Sequence, residues 1–310
     1  MGQLINGKWY DRQALAADEH TGEFQRKPTT FRNRVENNPD ADFPLEADRY
    51  HLYICRACPW AHRTAILRQV KGLTEAVSLS LVEPVRIDQG WEFSDQYPDP
   101  HYGAQYLREL YVKADPEFTG RVTVPVLWDT KTDTIVNNES REIMRMLDTV
   151  FDPLAEKDVT FLPSELQEQV DRVIDEIYDP INNGVYRAGF AGTQHAHERA
   201  VRELFAALDH WENVLSDQPY LCGDQLTEAD WCMFTTLYRF DQVYHTHFKC
   251  NVRRIADYPS LQDYLKRLYN VPGVKETCNM QHIKDHYYKS HTWLNPTQLV
   301  PIGPEMDLEE

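Results

Sequence analysis

The sequence of 310 residues predicts two domains, a small α/β unit over residues 46–150 and an all-helical unit over 163–295. Three observations carry this expectation. Along the first half, strand-like alternation and helix-like periodicity follow one another as strand, helix, strand, helix, strand, strand, helix. A proline, Pro125, stands inside an otherwise strand-forming run, Val122 to Trp128. Beyond Pro163 the strand signals vanish and long segments of 3.6-residue period take over. The length agrees, because single cores seldom grow past about 250 to 300 residues.

Residues 1–45 are polar, rich in Asn, Asp and Pro and without a steady period, and read as an extended arm, either laid over the domain surface or partly mobile. From Arg49 the pattern changes: Tyr50, Leu52 and Ile54 alternate with His51 and Tyr53, which predicts a strand ending at Cys55. After it, Ala61, Ala65, Ile66 and Val70 fall on one helical face. Pro59 suits the first turn of that helix, where a missing N–H costs nothing, so Cys58 is its cap. A second strand is expected over 77–82, and then a loop with Pro84, Pro98 and Pro100 that carries Trp91. A short helix over 105–113, strands over 122–128 and 134–136, and a helix over 138–147 complete the unit. That order is the order of the thioredoxin fold. In the second domain helices are expected over 165–178, 195–215, 229–244 and 261–269. Thr227 with Asp230 three residues on is a variant capping box that opens the third of these. Residues 296–310 form an acidic tail in which Glu305, Asp307, Glu309 and Glu310 follow two prolines and read as unpacked.

Composition excludes several classes of function. With 42% hydrophobic and 26% charged residues the chain reads as globular, and no apolar run approaches the roughly 18 residues of a spanning helix. The 49 acidic residues outnumber 32 basic ones, and the resulting formal charge of -17 would repel a phosphate backbone. No nucleic-acid or membrane partner is therefore expected. The first 25 residues contain Asp11, Asp18, Glu19 and Glu23 and lack the apolar core of a secretory signal, so a cytoplasmic location is expected. Six cysteines are too few and too scattered for a secreted disulfide scaffold.

Only Cys55 and Cys58 stand at motif spacing, and in such a protein the pair reads as redox or metal chemistry. A structural zinc would need a second cysteine pair at short spacing, which is absent, although His62 is a conceivable third ligand. Redox chemistry fits better. A helix N-terminus supplies about half a positive charge and unpaired N–H donors to a thiolate. A fall in pKa from about 8.5 to about 6 raises the thiolate fraction at pH 7 from about 3% to about 90%. Because Pro59 follows the second cysteine directly, Cys58 holds the nucleophile position, while Cys55 is either a resolving thiol or a core residue at the strand end. If the fold is thioredoxin-like, as the order of elements suggests, the likeness implies that Pro125 is a cis proline whose preceding residue, Val124, offers its backbone to the cysteinyl part of a peptide-like thiol. An edge-strand proline is the plainer alternative. At the start of the helix after the fourth strand, Ser140 and free N–H groups can hold a γ-glutamyl carboxylate and Glu139 its amine, although an ordinary capping box uses the same residue types.

These segments together, Arg49-Tyr50-His51-Leu52-Tyr53, Ala57-Cys58-Pro59-Trp60-Ala61-His62-Arg63, Val124-Pro125-Val126-Leu127-Trp128-Asp129 and Asn137-Asn138-Glu139-Ser140, resemble those of the glutathionyl-hydroquinone reductases, the xi class of glutathione transferases. Tyr186-Arg187-Ala188-Gly189-Phe190-Ala191 and His286-Tyr287-Tyr288 extend the likeness, which spans roughly residues 30 to 295. The resemblance implies the glutathione transferase fold, an α/β thioredoxin-like N-terminal domain plus an all-α C-terminal domain. It implies a homodimer with no permanently bound cofactor, in which glutathione or a related γ-glutamyl thiol is a co-substrate. On this sequence it makes Cys58 the residue that forms a mixed disulfide with glutathione. Trp91, Arg121, Val124, Glu139 and Ser140 become glutathione contacts. Tyr186 and Tyr287 hold the hydroquinone, with Tyr288 as a neighbour. Cys55 and Arg56 depart from the family pattern just before the motif. Trp91 beside Gly90 in a Pro-rich loop reads as a ligand contact more readily than as core, and Tyr186, after Asn-Asn-Gly, as an exposed aromatic outside a helix. Two other functions stay open: an omega-type thioltransferase or dehydroascorbate reductase, which lacks the tyrosine pair, and a non-catalytic interaction module on the same fold.

Overall fold

Strand β1 (Gln3–Ile5) turns back into β2 (Lys8–Tyr10) through Asn6 and Gly7, whose φ angles of 47° and 71° are those a two-residue hairpin turn demands. The computed structural model describes residues 2–11 and 17–309, so residues 1 and 12–16 of the expected arm and Glu310 of the tail lie outside the described residues. The hairpin was not expected from periodicity, yet Asn-Gly is its sequence signal. At Gly7 a Cβ would stand 2.0 Å from the carbonyl oxygen of Pro116, so no larger residue fits. Further along, the arm is not simply laid on the surface. Asn33 N–H donates to the Val136 carbonyl at 3.0 Å and Asn138 N–H to that of Phe31 at 3.1 Å, so residues 31–33 cover a strand edge that would otherwise be open.

The described residues divide into two compact units, one of residues 2–11, 28–159 and 277–290, the other of residues 17–27, 160–276 and 291–309. In the first, β3 (Tyr50–Ile54), β4 (Val77–Leu81), β5 (Val126–Asp129) and β6 (Thr134–Asn137) form a mixed sheet in the order β4-β3-β5-β6, with only β3 and β4 parallel. Helices α1 (Pro59–Val70), α2 (Leu107–Ala114) and α3 (Ser140–Asp148) complete the expected order. All five residues of β3 are buried, so the alternation that predicted it does not separate a wet face from a dry one. His51 is kept inside by a 2.7 Å hydrogen bond to Ser78, and burial first, then the neighbouring His101, pushes its pKa down to about 3. Strand β5 is shorter than expected: Pro125 precedes it, after a cis Val124–Pro125 peptide, so the sheet forfeits no ladder bond to the proline. Arg49 grips Asp129 through Nε at 2.9 Å and Nη2 at 2.6 Å, a buried bidentate pair that joins the start of β3 to the end of β5.

The second unit is built of α4 (Gln167–Ile177), α5 (Gly184–Gly189), α6 (Gln194–Asp217), α7 (Glu228–Arg239) and α8 (Pro259–Tyr269). Helix α7 is buried along its whole length. Its entry is fixed by Asp230, which accepts from Thr227 N–H at 2.7 Å, Thr227 Oγ1 at 2.9 Å, Leu221 N–H at 2.9 Å and the Tyr264 hydroxyl at 2.8 Å. Two expectations change. The tail is packed: Leu308 is buried, Gln262 and Asn270 donate to the carbonyls of Asp307 and Leu308 at 2.9 and 2.8 Å, and Lys266 meets Asp307 at 3.0 Å. Moreover, a helix that periodicity did not single out, α9 (Met280–Ser290), belongs to the first unit although it lies within the 163–295 segment expected to form the helical domain. Among the described residues no helix is long and apolar enough to cross a membrane.

Candidate active site

Cys58 is the N-cap of α1, with φ −75° and ψ 120° and Pro59 as the first helical residue. Its backbone closes the turn, since Cys58 N–H donates to the Cys55 carbonyl at 3.0 Å and its own carbonyl accepts from His62 N–H at 2.9 Å. The side chain is half-buried, and Sγ lies 3.5 Å from the carbonyl oxygen of Val124. A sulfur at a helix N-terminus is where backbone N–H groups and the helix dipole favour thiolate over thiol. Val124, the residue before the cis Pro125, thus has its carbonyl beside the Cys58 sulfur.

Cys55 is different in kind. It is fully buried at the end of β3, and burial, with a smaller contribution from Cys58, pushes its thiol up to about 12. Such a thiol is protonated throughout the physiological range, so of the two readings of Cys55 the burial favours the core residue. His62, the conceivable metal ligand, is buried one turn into α1 with Nε2 2.9 Å from Thr277 Oγ1 and 3.9 Å from Cys278 Sγ. Among the described residues no group of three or more His, Cys, Asp or Glu is placed to hold a metal ion.

At α3 the helix starts two residues later than expected, which makes Glu139 the N-cap and Ser140 the first helical residue. The Glu139 carboxylate accepts from Arg141 N–H at 3.3 Å and from Thr29 Oγ1 at 3.1 Å, and Ser140 is buried. Asn137 and Asn138 are committed to structure: Asn137 donates to the Asn33 carbonyl at 2.9 Å and Asn138 to the Tyr111 hydroxyl at 3.1 Å. Val124, Glu139 and Ser140 therefore stand with Cys58 in the first unit, as do Arg121, which is half-buried, and Trp91.

Trp91 is 4% exposed, so its ring is buried as the core reading expected. Its indole Nε1 is buried and meets no hydrogen-bond acceptor among the described residues. The ring itself is well held, with the Arg86 guanidinium 4.7 Å from its centroid and the His286 imidazole stacked at 5.3 Å and 18°. Neither Arg86 nor His286 was singled out from sequence, although His286 lies in the quoted His-Tyr-Tyr segment.

Tyr287 and Tyr288, 1% and 3% exposed, sit on α9 and hence in the same unit as Cys58. Tyr186 belongs to the second unit, and the expectation for it is corrected twice: it lies inside α5, and it is buried. Aromatic packing overrides the poor helix propensity of Asn-Asn-Gly, since Phe248 and Tyr244 lie 5.4 and 6.0 Å from its ring and the Arg26 guanidinium 4.9 Å.

Comparison with known proteins extends this description. A family model described as Glutathione S-transferase, N-terminal domain matches residues 57–150, and one described as Glutathione S-transferase, C-terminal domain matches 194–267. The chain is 48% identical to Glutathionyl-hydroquinone reductase YqjG of Escherichia coli, over 100% of this chain and 97% of that protein. It is 46% identical to Glutathionyl-hydroquinone reductase PcpF of Sphingobium chlorophenolicum, over 99% and 98%. Among solved structures, a xi-class glutathione transferase from Natrialba magadii superposes with a TM-score of 0.94 at 53% identity, covering 99% of this chain and 94% of that one. Glutathione-bound YqjG superposes with a TM-score of 0.90 at 45% identity, covering 100% and 97%.

Proposed function

The chain belongs to the glutathione S-transferases, in the xi class of glutathionyl-hydroquinone reductases, and from that membership we infer that it reduces S-glutathionyl-hydroquinones at the expense of glutathione. The observation that carries the reading is Cys58 at the N-cap of α1 with its sulfur 3.5 Å from the Val124 carbonyl. The Cys58 thiolate attacks the sulfur of the substrate thioether. The Cys58–glutathione disulfide forms, the sulfur–carbon bond breaks, and its electron pair leaves with the ring. Carbon is a poor leaving group, but in the keto tautomer of the quinol the pair spreads onto oxygen as an enolate. A phenol that donates a proton or a hydrogen bond to that oxygen lowers the barrier, and the product is hydroquinone. A second glutathione, as thiolate, then attacks the mixed disulfide, which releases oxidised glutathione and restores the Cys58 thiolate.

In this reading Tyr186 and Tyr287 serve the ring oxygens, with Tyr288 as neighbour. Trp91, Arg121, the Val124 backbone, Glu139 and Ser140 bind the glutathionyl group. Arg121 takes the glycyl carboxylate, so γ-glutamylcysteine, which lacks that residue, is expected to be the poorer thiol. The cycle uses no permanently bound cofactor. We place the protein in the cytoplasm, where thiols are kept reduced, and as a homodimer.

Mass spectrometry after incubation with a glutathionyl-hydroquinone tests the reading: one glutathione adduct is expected on Cys58, and none in Cys58→Ser. For the ring, Tyr186→Phe with Tyr287→Phe is expected to slow thioether cleavage by about 10² or more, the scale of a lost general acid, while reduction of a simple disulfide survives. Unimpaired cleavage by the double variant would leave an omega-type thioltransferase as the better reading.

A further inference from the structure

We infer that His286 is a positioning residue for the glutathionyl group, acting through Trp91: its imidazole holds the indole so that the buried Nε1–H is presented to the incoming peptide. The inference rests on the reading of Trp91 as a glutathione contact.

A buried N–H without an acceptor costs about 1–3 kcal/mol, and native structures seldom keep one without a reason. Trp91 Nε1 is such a donor, and a ligand that supplies an amide or carboxylate oxygen would satisfy it. An indole can offer that hydrogen to one place only if its ring is prevented from turning about its side-chain torsions. The ring is restrained through its faces, by Arg86 at 4.7 Å and by His286 stacked at 5.3 Å and 18°.

His286 is itself fixed. Its Nδ1 lies 2.7 Å from the Pro84 carbonyl oxygen, a group that can only accept, so the Nδ1 position carries a proton whether the ring is neutral or charged. Pro84 opens the loop that carries Trp91. Ser290, one turn later on α9, accepts from Arg86 N–H at 2.9 Å and lies 3.4 Å from His286 Nδ1. Within the loop, Glu83 N–H donates to the Glu92 carbonyl at 2.8 Å. Helix α9 thus clamps the loop at Pro84 and Arg86 and presses a flat ring against the indole, and the next residue on that helix is Tyr287. One helix thereby serves the glutathionyl side through His286 and carries a tyrosine assigned to the quinol.

Three variants test this. His286→Asn keeps a donor near the Pro84 carbonyl and removes the stacked ring; His286→Phe keeps a ring and removes the donor; His286→Leu removes both. The Kd of reduced glutathione, measured by calorimetry on the full chain, is expected to rise about three- to tenfold in the Asn and Leu variants, the scale of one lost ring pair, and by less in the Phe variant. The KM for glutathionyl-hydroquinone should rise with it while kcat changes less than twofold. The rate at which iodoacetamide, which has no glutathionyl part, alkylates Cys58 should stay within twofold of native, which a damaged fold would not allow. Native-like Kd and KM in the Asn and Leu variants overturn the assignment, as does an alkylation rate that falls in step with affinity. If the native chain neither binds glutathione nor carries it on Cys58, the reading of the site is overturned, and this assignment with it.

Discussion

Two cysteines three residues apart meet opposite fates because one caps a helix and the other ends a buried strand. Cys58 has a helix N-terminus and half-open surroundings, while Cys55 is wholly enclosed and its thiol is pushed up to about 12 by burial. A folded pKa above the ordinary value of 9.0 means that the folded state holds its proton more tightly than the unfolded chain. The stability this contributes is complete below pH 9.0 and is lost as the pH climbs toward about 12. Native Cys55 is therefore expected to resist alkylation at pH 8 while Cys58 reacts, and Cys55→Ala should leave adduct formation at Cys58 within twofold of native. Loss of the adduct in Cys55→Ala would instead make Cys55 a working partner.

At the scale of elements, the positions of α7 and α9 show how much depends on a few polar groups. Asp230 gathers four donors at the buried entry to α7, so Asp230→Ala leaves Leu221 N–H, Thr227 N–H and the Tyr264 hydroxyl without their acceptor. A loss of about 3 kcal/mol is expected in urea unfolding, and a loss below about 1 kcal/mol would mean that water replaces the carboxylate. Helix α9 is fastened to the first unit in the same manner: Thr277, just before it, bonds His62, His282 lies 3.0 Å from the Tyr97 hydroxyl, and His286 and Ser290 hold the loop of Trp91.

For the molecule as a whole, the chain enters the first unit, contributes residues up to Lys27 to the second, builds the rest of the first, builds the body of the second, returns to the first with α9 and ends in the second. The acidic tail closes that course. Its ion pairs are exposed and worth about 0–1 kcal/mol each, so most of its contribution comes from burying Leu308 and from the carbonyls that Gln262 and Asn270 satisfy. Removal of residues 303–310 is expected to lower Tm by about 2–8 °C in a thermal melt, with adduct formation at Cys58 unchanged. An unaltered Tm would return the tail to the unpacked state that its composition predicts.

What the sequence by itself determined was local. The order of strands and helices, the place of Cys58 at a helix start marked by Pro59, and the capping residues of α7 all depend on spacings of a few residues, which periodicity and cap chemistry read directly. Tertiary structure alone decided what depends on contacts distant in the chain. Burial enclosed Cys55, aromatic packing made a helix of the segment around Tyr186 and buried its ring, and the return of α9 brought His286 to Trp91 across a gap that no period spans. The physical reason is that propensity is worth tenths of a kcal/mol per residue, whereas burying an aromatic or satisfying an interior donor is worth several times that, and which of them occurs is set by the partner that the fold supplies.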